Sequence, residues 1–125
     1  MSNPFQTHSA FSWVELRSSD PQKSKAFYAD VIGWDTEEMP GPAPYTILKT
    51  DGEGIGGIVA LPEAATGAPS HWCAYITVDD VDARTKRAED AGATVIAPPM
   101  DMPGVGRMST IQDPTGAVIA LMTYS

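Results

Sequence analysis

The fold is decided by two stretches, WVELRSSDPQKSKAFYADVIG at residues 13–33 and CAYITVDDVDARTKRAEDAG at residues 73–92. Each begins with a strand-like run, continues with an Asp that opens an amphipathic helical segment, and ends on a glycine. Asp20 precedes Gly33 by 13 residues, and Asp79 precedes Gly92 by the same 13. The chain therefore repeats one strand–helix unit, and we expect a pocket between the two copies.

Copy one is predicted to open with a strand at Phe11–Arg17. Ser19 or Asp20 is the candidate N-cap of a helix over Lys23–Ile32, which Gly33 ends. The apolar stripe of this helix is expected to comprise Ala26, Phe27, Val31 and Ile32. Further strands are predicted near Trp34–Glu38 and at Tyr45–Thr50 and Gly56–Leu61.

Copy two is predicted to contain a helix that Asp79 or Asp80 caps and that runs through Ala91. We expect a proline- and methionine-rich loop at Pro98–Gly106. Strands are predicted at Trp72–Val78, Val95–Ala97, Arg107–Gln112 and Ala117–Tyr124. The expected fold is α+β: a single domain over residues 1–125 with module one at 11–61, a linker at 62–70 and module two at 71–124, each module a βαβββ unit.

Composition excludes several classes of function. The net charge of −8, from 16 acids and 8 bases, makes a nucleic-acid partner unfavourable. No apolar run approaches the roughly 20 residues that span a bilayer, so no membrane partner is expected. The polar N-terminus lacks the pattern of a signal peptide, and Cys73 is the sole cysteine. A cytoplasmic location in a reducing compartment is the expectation.

Three segments, in this order and spacing, carry a family resemblance: Ser19-Asp20 through Phe27-Tyr28 to Gly33-Trp34, then Val78–Asp82, then Pro103–Arg107 with Asp113–Gly116. Residues 11–124 resemble the vicinal oxygen chelate superfamily, which includes glyoxalase I, bleomycin-resistance proteins and extradiol dioxygenases. The Pro103–Arg107 run looks most like the antigen-like glyoxalase-related branch, which often occurs as tandem domains. The resemblance implies two modules pairing into a cup-shaped mixed sheet with helices on the outer face, and a homodimer in place of the tandem.

Enzymes of this family hold a divalent metal with four strand residues. The implied ligand positions are occupied here by Trp13, by Val59 or Ala60, by Cys73 and by Ala120. Indole and aliphatic groups do not ligate metals, and one thiol cannot build a site. We therefore expect no metal and no other cofactor, unless the ligands are displaced by a residue or two.

Glu15 and His71 are the candidate catalytic residues. Glu15 shares a strand face with Trp13, so it is expected to face the cup, where it would act as a base or as a displaced metal ligand. The alternative is that Glu15 pairs with Arg107 or another base and only orders the sheet. His71 would assist Glu15, or would be a surface histidine that follows the linker.

The remaining candidate residues would line a ligand site. The aromatic rings of Trp13, Trp72, Tyr45 and Tyr75 are expected to form a stacking wall for a planar ligand or ordinary sheet core. Cys73 is a cup-lining nucleophile or a small buried hydrophobe, and Ala120 lines the cup. Met100 belongs to an adaptable lid or to loop packing, and Arg107 holds an anionic ligand or an internal salt bridge.

Two functions of different class follow. The first is a metal-independent module that binds a small organic molecule. The second is a glyoxalase-like enzyme, a lyase, isomerase or oxygenase, that uses Glu15. A dimerisation domain without a ligand is the third possibility.

Overall fold

A computed structural model describes residues 3–41, 44–61 and 68–125. Within that part, a short 3-10 helix at Pro4–Gln6 is followed by two α-helices and eight strands in the order βαβββ twice, which confirms the α+β class and the two modules. Module one comprises β1 (Phe11–Ser18), α1 (Pro21–Val31), β2 (Asp35–Met39), β3 (Tyr45–Thr50) and β4 (Glu53–Ala60). Module two comprises β5 (His71–Thr77), α2 (Val81–Asp90), β6 (Thr94–Met102), β7 (Gly106–Gln112) and β8 (Val118–Tyr124).

The chain divides into two compact units whose borders lie inside β1 and β5. The central unit runs from Val14 to Cys73. The terminal unit combines the chain before Val14 with Ala74–Ser125. No helix in the described residues is long and apolar enough to cross a membrane.

The central unit is a four-stranded sheet in the order β2-β3-β4-β1 with α1 packed on one face. The β2–β3 and β3–β4 pairs are antiparallel, whereas β4 and β1 run parallel. Leu16, Leu48 and Ile58 form the buried cluster on the helix side, and Tyr28 and Trp34 pack against it. Full burial of a Leu or Ile side chain stabilises a fold by about 1.5–3 kcal/mol, so this cluster fixes the helix-facing side of the sheet.

The terminal unit repeats this arrangement in the order β5-β8-β7-β6. Here β5 and β8 run parallel, and the other neighbours are antiparallel. Its core joins α2 to the sheet through Val78, Val81, Ile111 and Leu121.

Both α-helices begin at an aspartate cap. The Oδ1 atom of Asp20 accepts from the backbone N–H of Lys23, and the Oδ1 atom of Asp80 accepts from that of Ala83, each at 3.1 Å. Of the alternatives in the sequence, Asp20 and Asp80 are therefore the N-caps. Asp79 instead accepts a hydrogen bond from the Nε atom of Arg84, and this bond lowers the pKa of Asp79 to about 2.

The predicted apolar stripe of α1 is wrong. Phe27, Val31 and Ile32 are more than half exposed, and Ala26 is exposed as well. The helix instead turns Ser24 and Tyr28 towards the sheet, where the Ser24 hydroxyl bonds that of Ser18 on β1 at 2.7 Å and Tyr28 packs against the buried cluster. The helix is thus rotated about its axis relative to the orientation that the spacing of its apolar residues predicted, and a polar contact at its first turn accompanies this rotation.

The loop predicted at Pro98–Gly106 is also largely wrong, because β6 continues to Met102. Among the described strands, β6 lies at the edge of the sheet and pairs with β7 alone, so prolines there interrupt no second ladder. Shifts in register between Val95 and Ala97 and between Ala97 and Met100 accommodate Pro98 and Pro99. In β4, pairing likewise begins before the predicted start, at Glu53. Most of the predicted linker, residues 62–67, lies outside the described residues.

Removal of one buried hydroxyl tests the core of the terminal unit. Thr85 donates to the Val81 carbonyl at 2.6 Å, and its Oγ1 atom lies 2.7 Å from the Oγ atom of fully buried Ser109. Thr85→Val would leave the Ser109 hydroxyl unsatisfied and should cost about 1–3 kcal/mol in urea unfolding. Ser109→Ala leaves Thr85 its carbonyl partner and should cost less. The double variant should be more stable than Thr85→Val, and strict additivity would contradict this account.

Candidate functional site

A buried ion pair lies on the face of the central unit's sheet opposite α1. Because side chains alternate along β1, Leu16 and Ser18 face the helix while Glu15 and Arg17 face the other side. The Nε atom of Arg17 lies 3.1 Å from Oε2 of Glu15. Their side chains are only 11% and 8% exposed. The sequence predicted the face on which Glu15 lies, and Arg17 is the base with which it pairs.

Tyr45 and Gly57 complete this face on the neighbouring strands. Gly57 lies opposite Glu15 in the β4–β1 register and opposite Ile47 in the β3–β4 register. A Cβ atom at Gly57 would overlap the phenol ring and hydroxyl of Tyr45, so the Tyr45 ring occupies the space above this glycine. The carboxylate and the guanidinium of β1 and the phenol of β3 therefore lie on the same face of the sheet, on either side of Gly57 in β4. We define this set, Glu15, Arg17, Tyr45 and Gly57, as the ion-pair face.

Sequence reasoning missed two members of the ion-pair face. Arg17 follows Glu15 by two residues, so the same alternation that placed Glu15 could have found it. Gly57 gave no comparable signal, because its role depends on the cross-strand position of Tyr45.

The positions implied for metal ligands do not fit a divalent metal. Trp13 packs its indole ring 6.4 Å from the ring of Phe5, and Cys73 and Ala120 are fully buried. The β4 position is occupied by aliphatic Val59 and Ala60. Across the described ranges, no group of three His, Cys, Asp or Glu side chains could hold a metal ion. The donor set therefore supports no metal-dependent step.

His71 opens β5, and its recorded hydrogen bond is local. Its Nδ1 atom lies 3.1 Å from the carbonyl oxygen of Pro69, two residues earlier. This contact fits the interpretation of His71 as a residue that follows the linker. Cooperation between His71 and Glu15 stays a prediction.

Three candidate residues of the terminal unit, Tyr75, Met100 and Ala120, lie on the face of its sheet opposite α2. Tyr75 is buried, lies opposite Ala120, and directs its hydroxyl to the Met108 sulfur at 4.0 Å. Met100 lies on β6 opposite Met108, which in turn lies opposite Met122 on β8. Met100 therefore belongs to a cross-strand row of methionines and not to a lid loop.

Arg107 makes the internal salt bridge that was one of its two alternatives. Its Nε and Nη2 atoms donate to the two carboxylate oxygens of Asp82 at 2.7 and 3.0 Å, and its Nη1 atom donates to Asp101 at 3.0 Å. These bonds raise the pKa of Arg107 and lower that of Asp82. A ligand anion at Arg107 would have to displace one of these carboxylates.

The substitution Arg107→Gln should raise the pKa of Asp82 towards its usual value, because the hydrogen bond from Arg107 is the main cause of the lowering. Because the pKa of Asp82 is lowered in the native state, the Arg107–Asp82 pair stabilises the fold fully above the ordinary pKa of Asp. This contribution to stability disappears as the pH falls. Carboxyl-carbon NMR titration of both proteins measures the shift. Unchanged titration of Asp82 would contradict the bidentate geometry.

The substitution Arg17→Met should destabilise the fold by about 3 kcal/mol or more, because it removes a cation from a buried carboxylate. Denaturant unfolding at neutral pH measures the change. Asp90→Asn is the matched control, since it breaks the well-exposed Lys86–Asp90 pair and should leave stability nearly unchanged. Equal effects of the two substitutions would mean that the Glu15–Arg17 pair is no more buried than a surface pair.

Comparison with known proteins agrees with the fold described above. The profile of the Glyoxalase/Bleomycin resistance protein/Dioxygenase superfamily matches residues 10–121. “Putative glyoxylase CFP32” of Mycobacterium tuberculosis is 38% identical over 114 residues, which cover 88% of this chain and 44% of the relative. “Anthracycline biosynthesis protein DnrV” of Streptomyces peucetius is 37% identical over 125 residues, covering 88% of this chain and 45% of the relative. The chain thus spans less than half the length of these relatives.

Two solved structures share the fold. Methylmalonyl-CoA epimerase from Mycobacterium tuberculosis superposes with a TM-score of 0.65 at 17% identity, covering 94% of this chain and 89% of that one. A Streptomyces coelicolor methylmalonyl-CoA epimerase in complex with 2-nitronate-propionyl-CoA superposes with a TM-score of 0.65 at 16% identity. The superposition covers 95% of this chain and 99% of that one. These likenesses show the fold. The match of the family profile to residues 10–121 shows the family: the chain belongs to the Glyoxalase/Bleomycin resistance protein/Dioxygenase superfamily.

Proposed function

We propose that this chain binds a small organic molecule, without a metal, at the ion-pair face of the central unit. The buried Glu15–Arg17 pair carries the proposal. Replacing a buried ion pair by packed apolar residues is often neutral or stabilising, so the pair has no obvious value for stability alone. Its place on the face opposite the apolar core favours recognition of a polar ligand group.

The chemistry of the face indicates the class of ligand. The carboxylate of Glu15 accepts hydrogen bonds, and the guanidinium of Arg17 donates them in a planar fork. Tyr45 adds an aromatic ring and a hydroxyl above Gly57. These groups suit a planar, largely apolar molecule with carbonyl, hydroxyl or carboxyl substituents. A relative named for anthracycline biosynthesis, a chemistry of polycyclic aromatic compounds, supports the same class.

The absence of suitable donors at the implied ligand positions supports a metal-free mode. Trp13, Cys73 and Ala120 are an indole, one buried thiol and a methyl group. Binding would then depend on hydrogen bonds and ring contacts alone, and chelators would leave it unchanged.

A second candidate is a glyoxalase-like enzyme in which Glu15 acts as a base. The observation that favours it is that the Glu15 carboxylate lies on the face opposite the apolar core, where the Arg17 guanidinium holds it at 3.1 Å. The likeness to methylmalonyl-CoA epimerases supports removal of a proton next to a carbonyl as the type of reaction. Arg17 would hold the carboxylate in place as a positioning residue.

A thermal-shift screen of EDTA-treated protein tests the binding proposal. Ligands of the stated class should raise the melting temperature, because binding to the native state alone adds stability. For each such ligand, Arg17→Lys should raise the Kd about tenfold, since lysine keeps the charge but loses the fork.

Tyr45→Phe keeps the ring above Gly57, removes its hydroxyl, and should also weaken binding. Lys86→Gln, a change in an exposed pair of the terminal unit, should not. Ligands that need added metal, or that bind Arg17→Lys and Tyr45→Phe as tightly as the native chain, would overturn the proposal.

Exchange of α-protons in D2O tests the enzyme candidate. Acyl thioesters and hemithioacetals incubated with the protein should gain deuterium at the α-carbon, as followed by proton NMR. Glu15→Gln should reduce the rate by a factor of about 100 or more, because general-base catalysis contributes that much. An undiminished rate in Glu15→Gln, with the fold intact, would remove Glu15 from the mechanism.

Homodimer formation and a cytoplasmic location stay predictions from the sequence. Sedimentation equilibrium tests the first, and fractionation of the source cells tests the second.

A further inference from the structure

A pocket lies on the helix side of the central unit, opposite the ion-pair face. It has a volume of about 390 Å³ and lies where the end of β1, the first two turns of α1 and the start of β5 meet. Ligand pockets in proteins begin at about 300 Å³, so this volume admits a molecule of one to three rings. The ion-pair face is on the other side of the sheet, and the two sites share no residue.

Aromatic side chains form one wall of the helix-side pocket. Trp72 is 38% exposed and Phe27 is 56% exposed, while Tyr28 lies between them. The ring of Tyr28 meets those of Phe27 and Trp72 edge to face, at centroid distances of 5.1 and 5.4 Å. Large aromatic rings left open to solvent beside a concavity are typical of binding sites. The wall therefore favours a ligand with an aromatic ring.

Serine hydroxyls that bond to one another and to the backbone line another part of the pocket. The buried Ser18 hydroxyl bonds Ser24 at 2.7 Å and accepts from the Asp20 backbone N–H at 3.0 Å. Ser70 accepts from the Ser19 backbone N–H at 3.0 Å. These bonds tie three chain segments together, so this part of the pocket is formed before any ligand arrives.

Lys23 gives the pocket a cation without a carboxylate partner in the described residues. Six of the eight bases make ion pairs there: Arg17, Lys25, Lys49, Arg84, Lys86 and Arg107. Lys23 and Arg87 do not, although the chain has 16 acids. The nearest carboxylate in the pocket, Asp20, caps the helix at the Lys23 backbone N–H.

We infer that the helix-side pocket binds a planar aromatic molecule with an acidic substituent. The ring lies against Trp72 and Phe27, and the acidic group pairs with Lys23. This inference does not depend on the proposed function of the ion-pair face, and either can fail without the other.

Nitrogen–proton NMR of the indole groups tests the inference, with 2-naphthoate and its neutral analogue 2-naphthamide as probes. The three tryptophans report separately, and Trp72→Phe identifies the Trp72 signal. 2-Naphthoate should shift the signals of Trp72 and of Trp34, whose ring lies 6.1 Å away. The signal of Trp13, which belongs to the terminal unit, should stay unchanged.

The charge requirement is measured in the same titrations. Lys23→Gln should weaken binding of 2-naphthoate about three- to five-fold, the range of an exposed ion pair, and should leave 2-naphthamide unaffected. Arg87→Gln is the matched control, since Arg87 is the other base without a described ion pair. Arg87→Gln should leave the affinities for 2-naphthoate and for 2-naphthamide unchanged.

Three outcomes would overturn the inference. The first is no shift of Trp72 at millimolar 2-naphthoate. The second is equal affinity for the acid and the amide, or equal effects of Lys23→Gln and Arg87→Gln. The third is a Trp72 signal that moves with protein concentration alone, which would mean that a second copy of the chain covers this surface.

Discussion

The alternation of side chains along β1 is the constraint on which the rest of the structure depends. Leu16 and Ser18 face α1, where Leu16 joins the buried cluster and the Ser18 hydroxyl bonds Ser24 of the helix. Glu15 and Arg17 face the other side and form the ion pair. A slip of one residue in register would place two charges under the helix and expose the apolar core. The same strand therefore secures the core and presents the charged groups.

The ion-pair face and the core differ in what they contribute to the free energy of the fold. Leu16, Leu48 and Ile58 lose almost all contact with water, which stabilises the unit directly. In the buried Glu15–Arg17 pair, the attraction between the two charges is largely offset by the free-energy cost of removing them from water, so the pair adds little to stability. A chain under selection for stability alone has no reason to keep it. This difference is why the function is proposed at the ion-pair face.

Much of the fold was predictable because strand alternation, aspartate caps and glycine stops are local signals. The two βαβββ modules, the strand Tyr45–Thr50 and the position of Glu15 followed from them. Local signals failed where a tertiary contact decided the outcome. The Ser18–Ser24 bond accompanies a turn of Phe27 and Val31 to the surface, and the edge position of β6 lets Pro98 and Pro99 lie within a strand.

Parts of the site were unpredictable for the same reason. The space above Gly57 is known only once Tyr45 is placed on the neighbouring strand. Arg107 had two equally good interpretations until the structure brought Asp82 and Asp101 to it from α2 and β6.

The central claim is that this member of a superfamily with metal enzymes binds its ligand without a metal. Elemental analysis tests it most directly, on untagged protein purified without chelators and again after incubation with zinc, nickel, manganese or iron and desalting. The account predicts far less than one metal ion per chain in every sample, because Trp13, Val59 or Ala60 and Ala120 cannot ligate and Cys73 alone cannot hold an ion. One ion retained per chain would contradict it and would make Glu15 a displaced metal ligand.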